Sequence, residues 1–239
     1  MRSIILGAAL ALSASAALAA DISAPPVYVS APGYNWTGFY VGAHGGYATG
    51  QASVRDTNGG VNPGPFGYTP SGGFGGAQLG YNYQLSRFVV GIEADLGYMG
   101  ATGKGVIGSA NAAAHQDLTL SGGFYGDVTG RLGVTLGNAL FYGKGGYAYF
   151  DTRAKQQTTN PGYTPTGTGA YDGYVVGGGI EYGLTSNVTI KAEYLHYDLG
   201  SQGGYQTNVG DKSSPIGYRF LNETSLRFDT FKIGANYRF

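Results

Sequence analysis

The chain has no cysteine, so neither a disulfide framework nor a thiolate metal site is open to it. Lysine and arginine together number 14, aspartate and glutamate also 14, and only 12% of residues are charged. A nucleic acid would find no basic excess to bind. Beyond the first twenty residues no apolar run approaches the ~20 residues that a spanning helix needs. If the chain enters a membrane, it does so as strands. The three histidines, His44, His115 and His196, show neither HExxH nor any other metal-ligand spacing. Gly72 to Gly76 are not a phosphate loop, because no helix pattern follows to supply an anion-binding N-terminus.

What the chain does have is 45 glycines, 21 tyrosines and 11 phenylalanines in 239 residues. Glycine and aromatics in short blocks suit many strands with close backbone packing. The start reads separately. Met1-Arg2 is positive, Ile4 to Leu18 is apolar, and Ala17-Leu18-Ala19 is a small-residue cleavage site, so residues 1–19 are expected to be a secretory signal peptide. Residues 20–35, with Pro25, Pro26 and Pro32, are expected to be an extended, unpaired periplasmic lead-in. Residues 36–239 form one domain.

In that domain side chains alternate with period two, the mark of strands with one apolar face. The last stretch shows it well, with Phe231, Ile233, Ala235, Tyr237 and Phe239 facing one way and Lys232, Gly234, Asn236 and Arg238 the other. Eight such stretches are predicted: Trp36 to Tyr47, Phe74 to Gln84, Phe88 to Tyr98, Phe124 to Leu136, Leu140 to Phe150, Tyr171 to Leu184, Val188 to Leu199 and Asp229 to Phe239. Short turns alternate strictly with long connections, Gly50 to Gly73, Gly100 to Gly122, Asp151 to Ala170 and Gly200 to Asn222. Short turns at one end and long loops at the other characterise outer-membrane barrels. Aromatics collect toward both strand ends, Phe39, Phe88 and Tyr237 at one and Tyr47, Phe74, Tyr98 and Phe231 at the other, as interfacial girdles do. The fold class is therefore all-β, an eight-stranded antiparallel transmembrane barrel.

On this parity the charges face inward: Glu93, Asp95, Asp127, Glu181 and Glu193 against Arg131, Lys144, Lys191, Lys232 and Arg238. An eight-stranded barrel is only wide enough for its own side chains, so these groups are expected to neutralise one another as a structural network. Acid–base catalysis by paired carboxylates would need a substrate cleft that a filled lumen lacks. A lipid hydrolase built on His196 would have Glu193 and Asp198 close in sequence but no nearby serine. No catalytic residue, cofactor or metal site is assigned.

Three stretches, Trp36-Thr37-Gly38-Phe39-Tyr40-Val41-Gly42, Gly179-Ile180-Glu181-Tyr182-Gly183-Leu184 running on to Lys191-Ala192-Glu193-Tyr194-Leu195-His196-Tyr197-Asp198, and Gly234-Ala235-Asn236-Tyr237-Arg238-Phe239, resemble the small outer-membrane proteins of alphaproteobacteria. That porin-family group includes major surface antigens of Brucella, haemin-binding proteins of Bartonella and similar rhizobial proteins. The resemblance implies an outer-membrane barrel that is not an enzyme, with Phe239 part of the signal read by the barrel-assembly machinery. The expected role is envelope integrity, in contact with outer-membrane lipid and lipopolysaccharide, with surface loops and at most a narrow porin-like path. The alternative is capture of haemin or a host molecule through Gly50 to Gly73 and Gly200 to Asn222.

Overall fold

Successive residues of an extended chain point to opposite faces, so a strand whose alternate positions are apolar needs an apolar medium on one side only. The computed structural model describes residues 34–56, 66–107, 116–158, 166–209 and 218–239. The expected signal peptide and most of the lead-in lie outside these residues, as does His115. In chain order the strands are β1 (Gly38–Asp56), β2 (Phe66–Tyr68), β3 (Ser71–Leu85), β4 (Phe88–Met99), β5 (Gly103–Ile107), β6 (Gln116–Ser121), β7 (Gly123–Leu136), β8 (Ala139–Thr158), β9 (Thr166–Gly183), β10 (Val188–Val209) and β11 (Tyr218–Arg238). Eight of them, β1, β3, β4 and β7 to β11, each pair antiparallel with the next. The last pairs with the first, from Tyr40 opposite Arg238 to Asp56 opposite Asn222, and the barrel is closed. The short strands extend the ladder at the long-loop end, β2 on β1 and the β5–β6 hairpin on β8.

Two of the tight turns bend through the left-handed region, at Ser86 (φ 58°) and Gly137 (φ 59°), the backbone that two-residue hairpins favour. Outside, the barrel is apolar. Leu79, Leu96, Leu132 and Ile233 are each 60–69% exposed, whereas Glu93, Glu181, Lys191 and Lys232 inside are at most 2% exposed. Only a hydrocarbon surround makes that distribution favourable.

The strands outrun the sequence-based expectation at the long-loop end. β1 continues past Tyr47 to Asp56, β8 past Phe150 to Thr158, β10 past Leu199 to Val209, and β11 starts at Tyr218 rather than Asp229. The reason is a change of solvent. Above the aromatic girdle the outward positions become polar (Gln51, Asp198, Arg227, Asp229) while the inward ones become apolar (Ala52, Leu199, Leu226, Phe228). The polarity of the alternation inverts there, so the membrane pattern stops although the backbone ladder does not. Phe74 is a correction of the same origin. It is not a girdle residue but points inward, edge-on to Tyr125 with ring centres 5.9 Å apart.

Candidate functional site

The lumen is built in three layers. Toward the long loops lies an apolar layer, in which Phe150 and Phe228 meet edge to face at 5.5 Å beside Leu195, Leu199 and Leu226. In the middle lie the ions. At the short-turn end a second apolar cluster joins Trp36, Val89, Leu140 and Tyr142, with Tyr34 packed against it. The expectation of an interior filled by ion pairs is thus corrected: the ions form a belt between two apolar layers.

Glu93 is the centre of the belt. Its Oε1 accepts from Lys144 Nζ at 2.6 Å and Lys191 Nζ at 2.9 Å, and its Oε2 accepts from Lys191 at 2.8 Å and the Tyr40 hydroxyl at 2.8 Å. Asp95 Oδ2 takes Lys144 at 3.1 Å and Lys232 at 3.2 Å. Glu193 meets Lys232 at 2.7 Å and accepts from the Tyr142 hydroxyl at 2.7 Å. Nearer the short turns, Arg131 lies between the rings of Tyr40 and Tyr142, its guanidinium carbon 4.8 and 5.1 Å from their centres, and Nη1 donates to Glu181 Oε2 at 3.0 Å. The other oxygen of Glu181 accepts from Thr189 and from Asn236 at 2.8 Å. His44 joins the belt as well: Nδ1 is 2.9 Å from Gln78 Oε1 and 3.4 Å from Asp95 Oδ1, and Nε2 is bonded to the Tyr125 hydroxyl.

Two members of the expected network stand apart. Asp127 is opposite Asp95 in the β4–β7 register and accepts from the Tyr197 hydroxyl at 3.0 Å, with no ion pair among the described residues. Arg238 donates to the Thr37 carbonyl at 3.0 Å and lies against Tyr34 and Trp36. These two aromatics are the part that sequence reasoning missed, because Tyr34 was placed in an unpaired lead-in and Trp36 in a strand. Both precede β1 and turn into the barrel mouth, where the Trp36 backbone N–H donates to Gln84 Oε1 at 2.7 Å.

Interior glycines make room for the long side chains. A Cβ at Gly80 would collide with the Tyr40 hydroxyl, and one at Gly91 with Asn82, which accepts from Arg131 Nε at 2.7 Å. Gly80→Val is expected to push Tyr40 off Glu93 and to cost about 1–3 kcal/mol, the usual penalty of overpacking. Urea titration of the refolded protein in micelles checks this; an unchanged midpoint would show that Tyr40 is free to move.

On the outer surface His196 Nδ1 lies 2.9 Å from Asp229 Oδ1, which also accepts from the Tyr194 hydroxyl at 2.7 Å. Asp198 pairs with Arg227 at 2.9 Å, and Glu193 is inside the barrel, so His196 does not meet the two acids nearest in sequence. Among the described residues no cluster of histidines and acids could hold a metal ion.

An apolar exterior, a charged interior and strict alternation of short and long connections define a barrel of the outer-membrane type, and the outer membrane protein β-barrel domain family matches residues 6–239. The chain belongs to this family. It is 32% identical to the 31 kDa outer-membrane immunogenic protein of Brucella melitensis biotype 1, over 100% of each chain. To the 22 kDa outer membrane protein of Rhizobium leguminosarum bv. viciae it is 31% identical, over 82% of this chain and 77% of the relative. Among solved structures, OprG of Pseudomonas aeruginosa superposes with a TM-score of 0.51 at 15% identity, covering 85% of this chain and 96% of OprG. The outer membrane protease OmpT of Escherichia coli also gives 0.51, at 10% identity, covering 88% and 99%. Likeness at those identities is one of fold. As a member of this family the protein resides in the outer membrane, its β-barrel surface against lipid and its short turns on the periplasmic side.

Proposed function

We propose that the protein is a non-enzymatic structural barrel of the outer membrane, contributing to envelope integrity and holding hairpins above the surface. The observation that carries this reading is the layering of the lumen. Apolar side chains close over the ion belt on both sides, and nearly every interior charge is engaged by an opposite one. Groups so committed are poorly placed to line a wide aqueous path or to take up a substrate. β8 with β9 and β10 with β11 continue as paired ribbons beyond the girdle, which supports a presenting role for the outer end. The assembly machinery is the expected partner during insertion, with Phe239, 77% exposed and edge-on to Tyr237 at 5.4 Å, as part of the signal.

Planar-bilayer recording of the refolded protein tests this. No large, steady open level is expected; a persistent open-pore conductance would show that the layers part readily and would favour a porin.

A further inference from the structure

Arg238 is buried, 4% exposed, and among the described residues no carboxylate meets it. One guanidinium nitrogen, Nη2, donates to the Thr37 carbonyl, while Nε and Nη1 are buried without a partner among the described residues. The indole N–H of Trp36, itself 0% exposed, and the Tyr34 hydroxyl are buried beside it without partners among the described residues. Guanidinium and indole nitrogens only donate, and the one left-over group that can also accept, the Tyr34 hydroxyl, carries no charge to offset the guanidinium. The acid of this layer, Glu181, already accepts from Arg131, Thr189 and Asn236.

A further donor lies close by. Asn82 Nδ2 is buried without a partner among the described residues, and Asn82 is opposite Gly38, whose Cβ position is 4.0 Å from Arg238 Nη2. The flanking rings of Tyr34 and Trp36 lessen the cost of burying the cation but accept no N–H in their planes. The guanidinium carbon lies over the Trp36 ring, 5.7 Å from its centre, so the free guanidinium donors and the free indole N–H are neighbours.

We propose that the periplasmic end of the lumen is a binding site for a small monovalent anion, held by Arg238 and the Trp36 indole N–H. Water can accept from the N–H groups but leaves the charge uncompensated; an anion does both. The site is separate from the outer loops and from the ion belt, and it does not depend on the structural role proposed above.

Trp36 is the only tryptophan of the chain, so its emission reports on the site alone. The probe is sodium bromide, a heavy-atom quencher, titrated into the refolded protein in nonionic micelles at constant ionic strength. Quenching is expected to saturate, and its midpoint to rise at least about tenfold in Arg238→Gln, the loss of one charge-assisted bond. Arg227→Gln, on the outer surface, is expected to leave the curve unchanged. A quench linear in bromide with the same slope in all three proteins would overturn the proposal and assign the donors to water. If Arg238→Gln does not refold, a bromide-soaked crystal of the parent decides instead. An anomalous peak within hydrogen-bonding reach of Arg238 supports the site, and its absence overturns it.

Discussion

Replacing Glu93 by glutamine is expected to cost roughly 3–5 kcal/mol, the loss typical of breaking a buried ion pair from one side. Glu93 is wholly buried and touches Lys144, Lys191 and the Tyr40 hydroxyl within 2.9 Å, with Arg131 Nη1 at 3.7 Å. Without its charge, those cations face one another in a medium that screens them poorly. Most of the penalty comes from the cations left behind. Glu93→Gln combined with Lys191→Met is therefore expected to recover more than half of it, since the double change removes one stranded charge together with its partner. Urea unfolding in micelles measures both. A loss below about 1 kcal/mol for the single change would match a solvated pair rather than a buried one. That result would mean a hydrated lumen and would count against the closed structural barrel as well.

The second large effect lies on the other face of the same wall. Val128 on β7 is 51% exposed toward lipid, and an arginine there is expected to cost about 2–4 kcal/mol, the range for a cation near the bilayer midplane. Gln51 on β1 also points outward but above the girdle residue Tyr47, where an arginine is expected to cost about 0–1 kcal/mol. The pair of variants locates the boundary of the hydrocarbon. Equal losses, measured by folding into vesicles against urea, would place Gln51 within the membrane and refute the inversion of polarity above the girdle.

That inversion also explains what could and could not be seen in the amino-acid order. Between the girdles one face meets lipid and the other meets ions, so the eight strands, their parity and the inward placement of the ten charged residues were legible. Higher up, Leu199 and Leu226 face in while Asp198 and Arg227 face out. Alternation persists there with its sense exchanged, so the apolar-out pattern that marks a membrane strand stops short of the strand's end. Which charges meet was less legible, because pairing depends on strand tilt and stagger around the barrel. Lys191 reaches Glu93 across 98 positions of chain, and nothing in the spacing of either residue announces it. Arg238 shares its face with the belt, yet it falls beyond the last acid and against two aromatics. Tyr34 sits where the strand pattern has not begun, and Trp36, although it heads the first alternating stretch, precedes β1 and turns into the barrel mouth.

The ladder between β1 and β11 has a consequence for biogenesis. The two strands that seal the cylinder are those farthest apart along the polypeptide, joined from Tyr40 opposite Arg238 to Asp56 opposite Asn222. Until both are in place, each presents a row of unsatisfied amides, intolerable in hydrocarbon. A chain arrested short of its final strand gains no partial reward from inserting, so commitment to the bilayer comes late and in a single cooperative step, with the slow kinetics that such remote pairings impose.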